Sequence, residues 1–121
     1  MSQYWEWYAS SLNPWHEGNE STNMISETCL INKTKTHWLF GADGTGNICV
    51  KENIENLWAK HKKRVFLVTA DGGVDASLKP NEQESDDAQL HFCEMVAALG
   101  LLRENGTFIL KVCIFTCKQF V

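Results

Sequence analysis

Two apolar runs separated by a long helical stretch constrain the fold of this chain most strongly. Residues 65–70 (VFLVTA) and 107–115 (TFILKVCIF) are apolar along nearly their whole length and do not alternate with polar residues. Strands of this kind, joined through helices, are typical of a parallel sheet covered on both faces. The intervening helix has an apolar side formed by Leu90, Cys93, Val96, Ala97 and Leu101. We therefore predict an α/β fold with a mostly parallel sheet.

Weaker patterns predict the remaining elements. We expect a strand at 4–8, a loop at 9–23, helical turns within 24–31, a strand at 37–41, a turn at 42–47 and a helix at 51–63. In that helix Ile54, Leu57 and Trp58 recur at helical spacing. Asn81 is expected to cap the long helix, after a loop at 74–80. A turn at 104–106 should precede the last strand.

Length, charge and cysteine content limit the function classes. The chain has 121 residues, enough for one domain, and its 44% apolar content supplies a core. A net charge of −4 gives no chain-wide reason to expect nucleic-acid binding, although it does not exclude a local basic groove. Five scattered cysteines without a CxxC pair indicate reduced thiols in a nuclear or cytosolic protein. Neither a signal peptide nor a membrane span is indicated.

The tryptophans and the basic run each have two interpretations. Trp38 and Trp58 are expected in the core, whereas Trp5, Trp7 and Trp15 fit either packing or base stacking. The cationic run 60–64 is typical of the solvated carboxyl end of a helix.

Asp71 and Lys111 are the residues most suited to chemistry. Asp71 follows the first apolar strand and precedes two glycines, at the strand end where open α/β sheets bind ligands. Lys111 interrupts the last apolar strand, and a lysine there must snorkel, pair or take part in chemistry. If the strands are neighbours, the two side chains meet at one sheet edge and can activate a hydroxyl group. The alternative is that Asp71 caps a turn and Lys111 snorkels.

The glycine-rich stretch 41–48 (GADGTGNI) is a second candidate. It lacks the order of glycines that cradles phosphates in dinucleotide-binding folds. Asp43 or Asn47 could bond the polar edge of a ligand, and a tight connection without a ligand explains the stretch equally well.

Taken together, several segments resemble the FtsJ-like 2′-O-ribose methyltransferases. They are VFLVTADGGVD, NEQES, QLHFCEMVAALGLL and NGTFILKV. WEWYASSLNPWHEGN and HWLFGADGTGNI are similar to the cap-specific mRNA 2′-O-methyltransferases, in the branch that modifies the second transcribed nucleotide. The resemblance runs from about Trp5 to Val112.

The resemblance implies a Rossmann-like fold that uses S-adenosylmethionine to methylate capped mRNA. It implies that Asp71 and Lys111 are two members of a Lys-Asp-Lys-Glu tetrad, Asp71 beside the methyl donor and Lys111 at the ribose 2′-hydroxyl. The family's adenine-contacting acid falls on Asn47, where an amide replaces the carboxylate.

The chain also departs from the family pattern. The family's glycine-rich cofactor loop and first tetrad lysine have no counterpart, and VCIFTCKQFV diverges where the family continues toward the tetrad glutamate. We therefore expect residues 1–121 to be a partial methyltransferase domain that is inactive in isolation. The alternatives are a degenerate, non-catalytic module that binds RNA or a protein, and a small α/β domain without either function.

Overall fold

The computed structural model of the protein describes residues 4–20, 24, 25, 27–73 and 80–112. The elements in these residues are α1 (Cys29–Lys33), a 3-10 helix (Lys35–His37), α2 (Lys51–His61), β1 (Val65–Ala70), α3 (Pro80–Leu101) and β2 (Leu102–Leu110). The predicted α/β class is confirmed. None of the described helices is both long enough and apolar enough to cross a membrane.

The two strands pair in parallel, as the two apolar runs predict. Val68 lies opposite Phe108, and Ala70 lies opposite Leu110. Helix α3 connects the end of β1 to the start of β2, so that the three elements form a β-α-β unit. Such a unit places the carboxyl ends of both strands at the same edge of the sheet.

Strand β2 begins earlier than the sequence predicts. It starts at Leu102 directly after α3, and residues 104–106, expected to form a turn, lie inside it as an irregularity. The pairing jumps there from Leu102 to Thr107 on β2, while β1 advances only from Val65 to Leu67. Asn105 adopts a left-handed φ of 61°, which asparagine tolerates better than most residues. The strand ends at Leu110, so Lys111 follows the strand and does not interrupt it as predicted. The expected extension over 113–115 lies outside the described residues.

Helices α2 and α3 pack side by side and run in the same direction. The Trp58 Nε1–H donates to the Ala97 carbonyl oxygen at 3.0 Å, and the Lys63 backbone N–H donates to the Gly100 oxygen at 3.0 Å. The side chains buried in and around this contact are Ile54, Leu57, Ala97 and Ala98. The apolar sides predicted for both helices are therefore confirmed.

The sheet is covered on one face only in the described part of the chain, which corrects the expectation of two covered faces. Val68 and Phe108 share a half-buried face, and α3 contacts both strands. On the opposite face Leu67 is 42% exposed and Ile109 is 54% exposed. Helix α2 packs against α3 and leaves this second face open.

The predicted strands at 4–8 and 37–41 are wrong. Residues 4–8 form no regular element, and Lys35–His37 is a 3-10 helix. The two segments meet in a single parallel bridge between Ala9 and Trp38, with the Leu39 N–H donating to the Ala9 oxygen at 2.8 Å. Alternating aromatic residues alone do not make a strand, because a strand needs a neighbour along its whole length.

The ends of three helices also differ from the predictions. Helix α1 begins at Cys29, later than the expected turns. Helix α2 ends at His61 because Lys63 takes a left-handed φ of 57°. Helix α3 begins at Pro80, which suits a first helical position. Asn81 therefore lies within the first turn and is not the cap, and the expected loop is shorter, with 74–79 outside the described residues.

Candidate functional site

Asp71 and Lys111 are the first residues beyond the two paired strands. The Lys111 backbone N–H donates to the Ala70 carbonyl oxygen at 2.8 Å, continuing the ladder by one step. Asp71 directly follows Ala70 in the chain. Because the strands are parallel neighbours, both residues lie at the carboxyl edge of the sheet, as expected for neighbouring strands. Their chemical roles stay a prediction.

Asp71 and Lys111 bring a carboxylate and an ammonium group to this edge. Both residues are exposed. In the part of the chain that the structure describes, the ion pair within 4 Å joins Lys51 and Glu55 at 3.4 Å, and Asp71 does not pair with Lys111. Opposite charges are thus available side by side to a ligand at this edge.

Glu94 of α3 holds the backbone directly after Asp71. Its Oε1 accepts a hydrogen bond from the Gly72 N–H at 3.0 Å. A Cβ atom on Gly72 would lie 2.5 Å from this oxygen and 2.9 Å from Leu90 Cδ2, so a larger residue here would displace the Glu94 and Leu90 side chains. This explains the glycine at position 72 and fixes the segment that carries Asp71.

The second oxygen of Glu94 is buried and forms no hydrogen bond with the described residues. Burial raises the pKa of the Glu94 carboxyl above its ordinary value of 4.5, and the negative charge of Asp71 acts in the same direction. The Gly72 N–H and the nearby His91 oppose this increase in pKa. Glu94 is therefore a carboxyl group biased toward its neutral form. The sequence did not reveal it, because a glutamate in a long helix looks like an ordinary surface residue.

Two thiols lie beside this glutamate. Burial raises the pKa of the Cys49 thiol to about 12, and a hydrogen bond with Cys93 and the charge of Glu94 add to the effect. A thiol with such a pKa stays protonated and is a poor nucleophile. Cys29, Cys49 and Cys93 are free thiols, in agreement with the predicted reduced state; Cys113 and Cys117 lie outside the described residues. Over residues 4–20, 24, 25, 27–73 and 80–112, no group of three potential metal ligands occurs.

The glycine-rich stretch 41–48 is organised around Asn53, a residue that sequence reasoning missed. Asn53 is only 2% exposed. Its Nδ2 donates to Asp43 Oδ1 at 2.9 Å and to the Asn47 carbonyl oxygen at 2.9 Å. One side chain at the start of α2 thus ties together both ends of the loop.

Asp43 and Asn47 each form hydrogen bonds within the loop. Asp43 Oδ1 accepts from the backbone N–H and the hydroxyl of Thr45, which lowers the pKa of the Asp43 carboxyl. Asn47 Oδ1 accepts from the Cys49 N–H at 2.9 Å. The carboxylate of Asp43 is thereby engaged in the turn itself, and within the described residues the Asn47 amide nitrogen forms no hydrogen bond. The choice between a ligand-binding loop and a simple connection stays open for Asn47.

Helix α3 links the loop to the sheet edge. Asn47 contacts Cys49, whose thiol neighbours Cys93, and the next residue in α3 is Glu94, which binds Gly72. One short stretch of α3 therefore lies between the Asn47 loop and the segment that carries Asp71, whereas Lys111 is joined to that segment through Ala70. A carboxylate and an ammonium group at one sheet edge suit a polar ligand that carries charged groups.

Two surface cavities lie elsewhere on the molecule. One has a volume of about 370 Å³ and is lined by Trp15, Ile31, Asn32, Lys35 and Phe40. The other has a volume of about 360 Å³ and lies between α2 and α3, beside Trp58. Neither is lined by Asp71, Lys111 or Asn47, so both lie apart from the candidate site.

Comparison with known proteins gives a consistent set of matches. The profile of the FtsJ-like methyltransferase family matches residues 3–120. A cap-specific mRNA (nucleoside-2′-O-)-methyltransferase 2 from Pongo abelii is 41% identical over 111 residues, which cover 90% of this chain and 14% of that protein. The protein of the same name from Drosophila melanogaster is 38% identical over 112 residues, covering 89% of this chain and 16% of its own length.

A methyltransferase 1 of the same cap-specific class also matches. The protein from Trypanosoma brucei brucei is 40% identical over 80 residues, covering 64% of this chain and 21% of its own length. No solved structure gives a significant match. The chain thus spans about one seventh to one fifth of the length of these relatives.

Proposed function

The chain belongs to the FtsJ-like methyltransferase family, and we propose that it forms the part of a cap-specific mRNA 2′-O-methyltransferase domain that carries Asp71 and Lys111. The family implies a Rossmann-like methyltransferase fold, of which the β1-α3-β2 unit supplies one parallel pair. The observation that carries the proposal is the hydrogen bond from Lys111 N–H to Ala70 O, because it sets the two predicted tetrad residues side by side.

Lys111 is proposed to act on the 2′-hydroxyl of a cap-proximal nucleotide. A lysine side chain near this hydroxyl favours the developing oxygen anion by charge, and in its neutral form it can take up the proton. Its exposure at the sheet edge leaves it free to reach a bound ribose. Asp71 is proposed to lie beside the methyl donor and to hold the lysine ammonium.

The residues at this edge fit S-adenosylmethionine in part. When bound, this cofactor supplies a methyl group on a positively charged sulfur. Asp71 provides an exposed carboxylate, and a Cβ atom on Gly73 would meet no atom of the described residues within 4 Å. Asn47 is proposed to hold the adenine through its amide. These residues provide one acid and one amide for the cofactor.

Capped mRNA is proposed as the substrate. The support is the similarity to relatives that are cap-specific mRNA methyltransferases, which extends over about nine tenths of this chain. The proposal implies a nuclear or cytosolic protein. It concerns the domain of which this chain is a part, since the chain matches only about 14–16% of these relatives.

Calorimetric titration of the purified chain with S-adenosylmethionine tests the proposal. We expect measurable binding that weakens in Asp71→Asn and persists in Asp86→Asn, which removes an exposed acid from α3 instead. Circular dichroism of each protein shows whether it is folded. A folded chain that does not bind the cofactor, or an Asp71→Asn variant that binds normally, would contradict the proposed cofactor contact and favour the non-catalytic module.

A further inference from the structure

The amino-terminal end of β1 carries exposed aromatic rings beside cationic side chains. The rings of Trp5 and Phe66 lie 6.5 Å apart, and the guanidinium carbon of Arg103 lies 4.7 Å from the Phe66 ring centre. Nearby in the chain, the rings of Tyr8 and His61 lie 4.4 Å apart. We name this the aromatic–basic surface, with aromatic members Trp5, Tyr8 and Phe66 and basic members Lys62, Arg64 and Arg103.

The aromatic members are accessible. Trp5 is 75% exposed, Phe66 is 45% exposed and Tyr8 is 42% exposed. Trp7, by contrast, already stacks on His37, with ring centres 4.2 Å apart and planes at 8°. Exposed aromatic groups that lie together mark an interaction surface more often than scattered ones do.

The basic members give this surface a charge opposite to that of the whole chain. Five of the eleven lysines and arginines fall at 60, 62, 63, 64 and 103, in a chain of net charge −4. Lys62 and Arg64 are exposed, and within the described residues neither side chain forms an ion pair or hydrogen bond. Of the acids nearby in the chain, Glu6 accepts a hydrogen bond from the Tyr8 hydroxyl and Glu104 is exposed. Cations are therefore in excess.

We propose that the aromatic–basic surface binds single-stranded RNA. Bases stack on the exposed ring of Trp5 and on the part of the Tyr8 ring left accessible beside His61 and His37. Lys62 and Arg64 pair with the phosphates, and this combination is the one that binds single-stranded nucleic acids. The choice of RNA rests on the proposed function. The surface itself is separate from the candidate site, because Phe66 and Asp71 are five residues apart along an extended segment, roughly 16 Å. It would hold a part of the RNA away from the reacting nucleotide.

Fluorescence anisotropy with a labelled, uncapped oligouridylate of about twelve nucleotides, within the usual site size, tests this proposal. This assay contains neither a cap nor a methyl donor, so its result does not depend on whether the protein transfers methyl groups. Likewise, absence of RNA binding here would not affect the interpretation of the calorimetric titration with S-adenosylmethionine. We expect Trp5→Ala to weaken binding about tenfold and Trp5→Phe to retain most of it, since phenylalanine keeps a stacking face. Trp15→Ala, which removes another exposed tryptophan, should bind as the unmodified chain does.

The charge contribution is measured by salt dependence. The double variant Lys62→Ala/Arg64→Ala should reduce the slope of log affinity against log salt by about 1.4, because each phosphate contact on a single strand contributes about 0.7. The control variant Lys33→Ala/Lys51→Ala removes two positive charges at other positions and should leave the slope unchanged. The proposal is overturned if the oligouridylate does not bind, or if the control variants weaken binding as much as the surface variants do. It is also overturned if a blunt duplex, whose bases are already stacked, binds with the same affinity.

Discussion

The Glu94 carboxyl group accepts a hydrogen bond from the backbone N–H of Gly72 at 3.0 Å, which fastens α3 to the segment that follows β1. Its other oxygen is buried and has no hydrogen-bond partner in the part of the chain that the structure describes. Two consequences follow from this one contact. The neighbouring Asp71 is held in place through the backbone, and the stability of the protein depends on the charge of Glu94.

Replacing Glu94 with glutamine should change how stability varies with pH. The folded-state pKa of Glu94 is raised, so the native protein holds this proton more tightly than the unfolded chain does. As pH increases from about 4.5 through the raised value, the unmodified protein therefore loses stability, whereas Glu94→Gln is spared this loss. As the pH is raised from 4 to 8, urea unfolding should show that the free energy of unfolding of Glu94→Gln increases relative to that of the unmodified protein. Glu17→Gln, at an exposed position, is the control for removing a negative charge. If the difference in unfolding free energy between Glu94→Gln and the unmodified protein does not change with pH, the raised pKa of Glu94 is contradicted.

Asn53→Ala should destabilise the protein by about 2 kcal/mol, because it removes two long hydrogen bonds of 3.3 Å and two shorter ones that contribute about 1 kcal/mol each. The two shorter bonds join Asp43 and the Asn47 carbonyl to the start of α2. Asn56→Ala in the same helix is the matched control, as Asn56 is only half-buried. Urea unfolding measures both. Equal effects of the two substitutions would show that Asn53 does not organise the loop.

Gly100→Ala should destabilise the protein by about 1–3 kcal/mol, the usual range for overpacking. A Cβ atom at position 100 would overlap the Trp58 indole nitrogen and disturb its hydrogen bond to Ala97. The near-ultraviolet circular dichroism of Trp58 should change with it. Gly73→Ala provides the comparison, since its Cβ atom would meet no atom within 4 Å. If Gly100→Ala is as stable as Gly73→Ala, the packing of α2 on α3 is looser than the structure indicates.

Lys111→Ala, made in a protein that contains this segment within a complete methyltransferase domain, should lower methyl transfer to capped RNA by at least about a hundredfold. Lys111→Arg should also be impaired, because arginine keeps the charge but does not give up its proton. Radiolabelled methyl incorporation into capped RNA is the measurement, and Lys33→Ala, at an exposed position in α1, is the control. Retained activity in Lys111→Ala would remove the lysine from the proposed mechanism.

Local patterns were sufficient for the central elements of the fold. Strand β1 was predicted at its observed bounds, because an uninterrupted apolar run ends at a polar residue followed by glycines. A parallel sheet followed from strands joined through a helix, but the sequence left open whether β1 and β2 are neighbours. The structure pairs them and thereby brings Asp71 and Lys111 to one edge.

Long-range contacts account for what the sequence did not reveal. Asn53 reaches loop residues six and ten positions away, and Glu94 binds a glycine twenty-two positions away. Neither contact has a local signature, because both residues are ordinary in a helix. The predicted strand at 4–8 was wrong for the converse reason: its alternating pattern is present, but beyond the bridge at Ala9 it has no partner in the described chain.

The parallel arrangement of β1 and β2 also sets the order in which the molecule folds. Val68 meets Phe108 forty positions later, so the strands cannot pair as a hairpin does. The chain must first close the long loop between the strands. The entropy cost of closing this loop comes before the hydrogen bonds between the strands can stabilise the pair. When α3 forms, it shortens that loop, so we expect this helix to form before the two strands pair. Folding is therefore expected to be slower than in a helical bundle of the same length and to be sensitive to substitutions that weaken α3.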